Sequence, residues 1–455
     1  MMSAHRVGTA LLLAGGLALA SLMVYTLWID TVPNPPYELF RRGTVEVAVV
    51  LPDRDDWLDF HQGVQICAKR GLLTVLGETQ DELLVQSPRR GVRVHFRWQR
   101  ASGGVDTRAM VGRFLHASQP PQVVIGSSNT ALTVALAEAL RDQDAADPEG
   151  PLLLVPWASA GAARESARPR QTKPLLGIYP GRTFRFSPNN PLQADLVVRC
   201  VLAQEPHPEP GRAILVVDSA DPYSEDLAAA FEEVIHEMAP KVEVAVLHDV
   251  AFSPGLTDAP GTAEYRTASR LWKFARETPA DRSTWVVLPL QGGPTRRLLT
   301  ALKAQTPDEE TPPRMDVLCG DGIGAETLGG IAGATPFSVW SASPDLTAQI
   351  DRDVAREIQV PAEIVSSLIF ALDRAEDCVG GLREALARID LPATDDAAMG
   401  RQIAFDEHGG RRGLDLARVL AVRPERDEVL SFVPAEGNSW APPQIVPPAP
   451  ILAKP

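Results

Sequence analysis

The sequence lacks the motifs on which the common enzyme mechanisms depend. Its 8 histidines are scattered, and His236-Glu237 is not followed by the second histidine of a zinc-binding helix. No GxSxG nucleophile elbow and no P-loop occur, and the glycines of residues 320–324 (GDGIG) have the wrong spacing for a dinucleotide fingerprint. Because no nucleophile, base, metal site or cofactor motif can be named, we predict a protein that is not an enzyme and that needs neither metal nor cofactor.

Basic residues are also few. The chain has 44 Lys and Arg against 58 Asp and Glu, a formal net charge of -14. Nucleic acids and anionic membrane surfaces are polyanions and would repel such a chain, so we predict no nucleic-acid partner.

Cysteine is scarce, and none of its spacings is CxxC. The chain has 4 cysteines, at Cys67, Cys200, Cys319 and Cys378, which allow three pairings if all are bonded. Cys67 and Cys200 lie among apolar residues in predicted helices. Buried free thiols are therefore favoured over a disulfide framework, which is typical of small secreted domains.

A long uncharged run stands near the N-terminus. Val7 to Ile29 contains no charged residue and follows the basic pair His5-Arg6. The run has roughly the 20 residues that a transmembrane helix needs, and it exceeds the apolar region of a signal peptide, which has about 7 to 15. Ala18-Leu19-Ala20 leaves cleavage open. We predict residues 1–30 as a transmembrane anchor or signal, favour the anchor, and place the body outside the cytoplasm.

Buried-looking strands alternate with helical patterns along the rest of the chain. The strands are predicted at Val45–Leu51, Val92–Trp98, Gln122–Ile125, Leu152–Val155, Ala213–Val217, Val242–Leu247, Trp285–Leu290 and Met315–Cys319. This alternation indicates βαβ units, and 455 residues suffice for two domains. The predicted fold class is α/β, with two doubly wound parallel-sheet lobes joined by hinge crossovers.

The predicted boundaries follow from this pattern. Residues 31–44 form a linker; the first lobe covers 45–183, completed by about 335–398, and the second covers 184–334, completed by about 399–433. Pro361 is expected to separate two helices between residues 350 and 389. Gln402–Asp406 and Val419–Val422 are expected to form a hairpin, and residues 434–455 a proline-rich tail, disordered from Ala441.

Polar or aromatic residues follow the ends of several predicted strands. They are Trp57, Ser128–Thr130, Trp157–Ser159, Tyr223, Gln291–Gly293 and Asp321. In open parallel sheets, ligands bind at the carboxyl ends of the strands. Two lobes with such ends facing each other would enclose a small molecule.

Four motifs then occur in a characteristic order. They are FRFSP from Phe184 with Gln193, the strand and loop Ile214–Tyr223, Gly320-Asp321-Gly322, and FDEHGG from Phe405. Their order resembles the type I periplasmic binding-protein fold, specifically the leucine/isoleucine/valine-binding family of ABC-transporter solute receptors, over roughly residues 45–433.

The resemblance implies a site for an amino-acid-like ligand. Hydroxyl and backbone N–H groups would hold a carboxylate, an acidic residue an ammonium group, and an aromatic residue would cover the ligand. The residues matching these roles are Ser128, Thr130, Ala158, Ser159, Asp321 and Tyr223. A further family aromatic is replaced around Gly292-Gly293, and Cys67 lacks the family's disulfide partner near Gly126. Each site residue also has a purely structural interpretation; Asp321, for example, can simply close a turn between glycines.

The predicted function is an extracytoplasmic solute-binding protein that closes two lobes on a small, amino-acid-like ligand and presents it to a permease or sensor. Its expected partners are that ligand, the membrane through the N-terminal helix, and the permease or sensor. The alternative is a membrane-anchored interaction or scaffold domain that kept the fold and lost the small-molecule pocket. An uncleaved anchor and the glycine replacement favour this alternative.

Overall fold

A computed structural model describes residues 43–101, 105–127, 129–144, 150–165, 168–204, 208–247, 262–307, 312–332, 335–343, 356–375, 381–392, 394–395, 398, 402–412, 418–424, 428–434, 440–441 and 443–446. Within these residues no helix is long and apolar enough to cross a membrane. The predicted span of residues 1–30 lies outside them and stays a prediction.

The first lobe is built on a seven-stranded sheet. The elements of the first half of the chain are β1 (Thr44–Leu51), α1 (Arg54–Lys69), β2 (Thr74–Glu78), β3 (Glu82–Gln86), β4 (Arg93–Arg100), α2 (Val105–Leu115), β5 (Val123–Gly126), α3 (Thr130–Asp144), β6 (Leu152–Val155), β7 (Ala162–Glu165), β8 (Arg168–Pro174) and β9 (Thr183–Arg185). The sheet order is β2-β3-β4-β1-β5-β6-β9. From β4 to β9 the strands run parallel, whereas β2 and β3 add antiparallel pairs at one edge.

The second lobe is built on an eight-stranded sheet. The remaining elements are α4 (Asn190–Leu202), β10 (Pro210–Val216), α5 (Pro222–Met238), β11 (Glu243–Leu247), α6 (Ala263–Glu277), β12 (Ser283–Leu288), α7 (Gly292–Ala304), β13 (Met315–Cys319), α8 (Ala325–Ile331), β14 (Ser338–Ser343), α9 (Arg356–Leu372), α10 (Gly381–Ala387), β15 (Asp390–Leu391), β16 (Ile403–Ala404), β17 (Arg418–Val422), β18 (Val429–Phe432) and β19 (Gln444–Val446). The order is β11-β10-β12-β13-β14-β17-β18-β19, parallel as far as β14 and antiparallel beyond it.

Helices cover both faces of each sheet. In the first lobe, α1 and α9 share one core, and α2 and α3 pack into a second core on the opposite face. In the second lobe, α4 and α5 cover one face, and α6 and α7 cover the other. Strands buried on both faces carry continuous apolar runs, which explains why the sequence predicts them well. The α/β class is confirmed, but both sheets are mixed where fully parallel sheets were expected.

The structure adds strands that the sequence did not predict. They are β2, β3, β7, β8, β9, β14, β15, β18 and β19. The segment RPRQTKP of β8, for example, has no alternation of apolar and polar residues and is held by backbone pairing with β7. Helix α1 begins at Arg54, although the sequence predicts a charged loop at Pro52–Trp57 and a helix only from about Leu58. The Asp53 side chain caps it by accepting a hydrogen bond from the Asp56 N–H at 2.9 Å.

The chain crosses between the two lobes at positions that differ from the predicted lobe boundaries. Strand β9 pairs with β6 and so belongs to the first sheet, and the first crossing follows it. Strand β14 lies in the second sheet, although residues 335–398 were expected to complete the first lobe. Ile403 and Phe405 still pack in the first-lobe core, and the chain rejoins the second sheet at Arg418. The local sequence pattern does not reveal which sheet a short strand joins, because its pairing strand is distant in the sequence.

Pro361 does not divide two helices as predicted. Helix α9 continues through it, with Pro361 inside the helix. An interior proline costs roughly 3 kcal/mol or more, and the burial of Ile364, Leu368 and Leu372, each 0 % exposed, offsets that cost. A side chain at Gly63 of α1 would come within 2.8 Å of the Pro361 side chain, so glycine allows the two helices to pack closely here.

The end of the chain also differs from the prediction. Val419–Val422 falls in β17, which pairs with β14 and β18 and not with Gln402–Asp406. Phe405 instead bridges to Arg411 across a short local turn. Within the predicted disordered tail, Gln444–Val446 forms β19 at the open edge of the second sheet, where unpaired backbone groups are available.

Three cysteines are described, and none of them is in a disulfide. Cys67, Cys200 and Cys319 are buried free thiols, as predicted. The Cys67 thiol lies 3.3 Å from the Ala362 carbonyl oxygen, to which it donates a hydrogen bond. Cys378 lies outside the described residues.

Candidate functional site

A cavity of about 230 Å³ lies between the two lobes. From the first lobe it is lined by Asp56, Asp59, Asn129, Thr130, Trp157 and Ser159. From the second lobe it is lined by Tyr223, Gln291, Gly292, Asp321 and Gly322. Most of these residues directly follow parallel strands, whose carboxyl ends meet at one edge of each sheet.

Two buried hydroxyl groups mark the first-lobe wall. Thr130 begins α3 after β5, and Ser159 follows β6; each side chain is 1 % exposed. Within the described part of the chain, neither Thr130 Oγ1 nor Ser159 Oγ has a hydrogen-bond partner. The cap of α3 is instead Asn129, whose Oδ1 accepts from the Leu132 N–H at 2.9 Å. Leaving a buried hydroxyl unpaired costs about 1–3 kcal/mol, so a ligand acceptor at this wall would be stabilised.

A hydrogen-bonded carboxylate stands on the second-lobe wall. Asp321 follows β13 and is 6 % exposed. The Tyr223 hydroxyl at the start of α5 donates to Asp321 Oδ1 at 2.9 Å, and the Asp321 N–H donates to Gln193 Oε1 at 2.9 Å. These bonds fix the orientation of the carboxylate. A carboxylate held in this way beside a cavity is suited to bind a positively charged group.

Glycines bring two loops of this wall together. A Cβ on Gly292 would lie 2.3 Å from the Gly322 carbonyl oxygen, and one on Gly322 would lie 2.6 Å from the Leu290 oxygen. The loops after β12 and β13 therefore pack backbone against backbone, which larger residues would prevent. This close approach gives Gly292 a packing role that the resemblance to the family did not suggest.

The structure brings four of the predicted site residues to one cavity: Thr130, Ser159, Tyr223 and Asp321. Ala158 is buried and does not line the cavity; its carbonyl accepts from the Ser187 hydroxyl at 3.2 Å. Ser128 lies outside the described residues.

Sequence reasoning missed the lining residues Asp56 and Asp59 and gave Asn129 no separate role. The signal for Asp56 and Asp59 is the N-cap residue Asp53, which places both in the first turns of α1. Trp57, which the sequence placed among the strand-end residues, is 1 % exposed and stacks on Phe60 and Trp98 in the core.

A second carboxylate joins the lobes beside the cavity. Asp226 of α5 accepts hydrogen bonds at 2.8 Å from the backbone N–H groups of Gly161 and Ala162 in the first lobe, and from Asn190 Nδ2. Burial raises the pKa of Asp226, while these hydrogen bonds and Arg185 act in the opposite direction. Arg185 itself donates to the Ala160 carbonyl, and burial lowers its pKa to about 10.

The contacts of Asp226 predict a role in holding the lobes together. We expect Asp226→Ala to shift the ligand-free protein toward a more open arrangement, because hydrogen bonds to a charged group contribute about 1.5–3 kcal/mol each. Small-angle X-ray scattering would record a larger radius of gyration. The matched control is Glu233→Ala, an exposed position on the same helix. An unchanged radius for Asp226→Ala would show that other contacts hold the lobes.

The described residues were also searched for a set of side chains that could coordinate a metal ion. In the part of the chain that the structure describes, no group of three or more His, Cys, Asp and Glu side chains is placed to hold a metal ion.

Comparison with known proteins decides the fold. No family model and no curated protein matches the sequence. Among solved structures, an ABC-transporter substrate-binding protein from Desulfitobacterium hafniense in complex with Leu is 16% identical, with a TM-score of 0.56 over 85% of this chain and 100% of that one. The chain has the type I periplasmic binding-protein fold. The fold predicted from the motif order is thereby confirmed.

Other proteins with the type I fold show the same likeness. The leucine-, isoleucine-, valine-, threonine- and alanine-binding protein from Brucella ovis, in a closed conformation, is 11% identical with a TM-score of 0.57, over 89% of this chain and 96% of that one. A solute-binding protein from R. palustris in complex with benzoate is 10% identical with a TM-score of 0.56, over 90% and 97%. The similarity thus extends through both lobes.

Proposed function

We propose that the chain is a solute-binding receptor that closes two lobes on a small, amino-acid-like ligand and presents it to a permease or sensor. No covalent chemistry is involved, and hinge closure buries the ligand. The named ligands of the similar structures, leucine and benzoate, each carry a carboxylate group. On this chain the matching feature is the hydroxyl pair of Thr130 and Ser159.

One observation carries the proposal. Two buried hydroxyl groups without a partner among the described residues face the same cavity as the Tyr223–Asp321 pair of the opposite lobe. This arrangement offers donors to a carboxylate on one wall and a negative charge to an ammonium group on the other. It favours a receptor over a scaffold that has lost its pocket, because the hydroxyl donors and the carboxylate still stand on opposite walls of one cavity.

The proposal places the body of the receptor outside the cytoplasm, tethered by residues 1–30. The support is the uncharged run from Val7 to Ile29. Alkaline extraction of membranes tests the tether. Full-length protein that remains in the membrane pellet supports an anchor, and mature protein that begins after Ala20 shows a cleaved signal instead.

The hydroxyl pair gives the first binding prediction. Thr130→Val combined with Ser159→Ala keeps the shape of the wall and removes both donors. We expect affinity for L-amino acids to fall about 100-fold or more, since each of the two hydrogen bonds to a charged group contributes about 1.5–3 kcal/mol. Isothermal titration calorimetry against a panel of L-amino acids measures the change.

A matched control exists in the same lobe. Thr107 is also a fully buried threonine whose Oγ1 has no partner among the described residues, and it does not line the cavity. Thr107→Val should leave affinity unchanged. If Thr107→Val and the double variant lower the affinity equally, or if neither lowers it, Thr130 and Ser159 do not bind the ligand carboxylate.

A further inference from the structure

A basic stretch of the first lobe has no part in the site described above. Residues 86–100 contain five arginines and no Asp or Glu, although acidic residues outnumber basic ones in the whole chain. Arg89 and Arg90 lie in the turn between β3 and β4, and Arg93 is the first residue of β4. The turn therefore concentrates positive charge at one end of the first sheet.

Helix α1 ends at the same end of the lobe. Its last residue is Lys69, and the chain then passes into β2, whose Thr74 pairs with Gln86 beside the β3–β4 turn. Lys69, Arg89 and Arg93 are all exposed. We call these three side chains the basic pole.

The cations of the basic pole are not neutralised by carboxylates of the described residues, among which none of the three has an ion-pair partner. Asp373 lies at this end, but it is only 9 % exposed and accepts a hydrogen bond from the Ser87 hydroxyl. Glu376 and Asp377 lie outside the described residues. Other surface arginines do pair with carboxylates: Arg108 with Asp142, Arg199 with Asp195, and Arg212 with Glu243.

The basic pole is remote from the cavity. The cavity residues follow the carboxyl ends of parallel strands, whereas Arg93 pairs with Thr44 at the amino end of β1. Strand β1 has 8 residues, so the pole stands roughly 23 Å from the cavity end of that strand. Its charge therefore serves a surface contact and not the ligand in the cavity.

The chain enters the described part of the first lobe beside this pole. Thr44 begins β1 next to Arg93, and the pair Arg41-Arg42 precedes it in the sequence. Residues 31–43 connect Thr44 to the uncharged run near the N-terminus, and a chain of that length reaches at most about 45 Å when fully extended. A membrane anchor formed by that run would hold the basic pole close to the bilayer.

We propose that the basic pole binds anionic phospholipid headgroups and so fixes the orientation of the first lobe on the membrane. This inference rests on the membrane tether of the proposed function. Lysine and arginine attract anionic headgroups, and the planar guanidinium group donates paired hydrogen bonds to phosphate. Nucleic acid offers the same phosphate chemistry, but the entry of the chain at this pole favours the membrane.

The acidic character of the whole chain does not prevent this contact. Its formal net charge is -14. Salt screens exposed charges beyond about 8–10 Å at physiological ionic strength, so the groups nearest to the lipid dominate the interaction. On this face those groups are Lys69, Arg89 and Arg93.

Hydrogen–deuterium exchange of the full-length protein in lipid nanodiscs tests the inference. One set of discs contains phosphatidylcholine alone, and the other also contains the anionic lipid phosphatidylglycerol. We expect amide exchange in residues 87–93 to slow at least about threefold in the anionic discs and to recover in about 0.5 M NaCl, where the Debye length is only a few ångströms. The double variant R89E/R93E should exchange equally in both sets.

A matched control reverses the same number of charges elsewhere. Arg270 and Lys273 are exposed cations on α6 of the second lobe. R270E/K273E should keep the slower exchange of residues 87–93 in the anionic discs. The lipid and salt comparisons use the unaltered protein, so they remain decisive even if a variant misfolds.

The contrary outcomes are distinguishable. Equal exchange of residues 87–93 in both sets of discs overturns lipid binding by the basic pole and leaves the tether standing. Loss of the slowing in R270E/K273E as well as in R89E/R93E overturns it too, because overall charge and not the pole is then responsible. Slowing by duplex DNA in the neutral discs, with none in the anionic discs, makes nucleic acid the partner instead.

Failure of the tether gives a different result. Mature protein that begins after Ala20 and stays outside the discs overturns the tether, and sedimentation of that protein with phosphatidylglycerol vesicles then decides the role of the pole. Binding that R89E/R93E weakens at least about tenfold supports the pole, since each cation near an anionic surface contributes to the affinity. Absence of binding overturns it.

Discussion

Asp321→Asn should raise the dissociation constant of the bound amino acid by about 30- to 4,000-fold. The variant keeps the size of the side chain and an oxygen that can accept from the Tyr223 hydroxyl, but it loses the negative charge. Truncating one member of a buried, hydrogen-bonded charge pair costs about 2–5 kcal/mol, and each 1.4 kcal/mol is tenfold in affinity. Calorimetry with the tightest binder from a panel of L-amino acids measures the effect.

Two further variants test whether a loss of affinity in Asp321→Asn comes from the lost charge at the cavity. Asp316 on β13 is another buried aspartate, to which Trp340 Nε1 donates at 3.3 Å, and it does not line the cavity. Asp316→Asn should therefore leave affinity unchanged. Tyr223→Phe should weaken binding about tenfold, since it removes one hydrogen bond to Asp321. If Asp321→Asn binds as tightly as the unaltered protein, the carboxylate only shapes the turn between Gly320 and Gly322.

Arg411→Met should destabilise the folded chain by about 3–5 kcal/mol. Arg411 forms an ion pair with Glu363 of α9, and both side chains are 0% exposed. The same guanidinium donates to the carbonyl groups of Gln402 and Phe186, so it joins α9 to the first crossing between the lobes. Removing one member of a buried ion pair leaves the other charge buried without compensation. Urea unfolding gives the change in the free energy of unfolding.

The double variant Arg411→Met with Glu363→Leu separates the buried charge from the packing. Replacing a whole buried ion pair with apolar residues is often neutral, so the double variant should be more stable than Arg411→Met alone. Arg388, just after α10, forms an ion pair with Glu384, and its side chain is 69% exposed. Arg388→Ala should therefore change stability by less than about 1 kcal/mol. The contrary result is a loss of unfolding free energy in the double variant equal to the sum of the losses in Arg411→Met and Glu363→Leu. It would show that packing, and not the buried charge, dominates.

The parts of the fold that the sequence predicted are those with a continuous local signal. Leu152–Val155 and Met315–Cys319 are buried over their whole length, so their apolar runs mark them as central parallel strands. Strand β14 carries SVWSAS, in which buried serines interrupt the apolar run, and it was missed. The assignment of β14 and β9 to their sheets depends on distant pairing partners that no local pattern specifies.

The site residues that the sequence predicted are those that follow the ends of strands. Thr130, Ser159 and Asp321 follow strands directly, and the geometry of parallel sheets predicts that such positions meet. Asp56 was missed because the sequence predicts the start of α1 near Leu58, four residues after its observed start at Arg54. Asp59 fell inside the predicted helix, but no local pattern shows that its side chain faces a cavity. Sequence patterns place helix ends only to within a few residues.

The buried thiols have a consequence for the maturation of the protein. Burial raises the pKa of Cys67 to about 12 and raises the pKa of Cys200 and Cys319 as well. Because the thiolate is the form that reacts with oxidants, these three side chains are inert once the lobes have folded. In an oxidising compartment, these three thiols would therefore be open to oxidation only until the cores close around them.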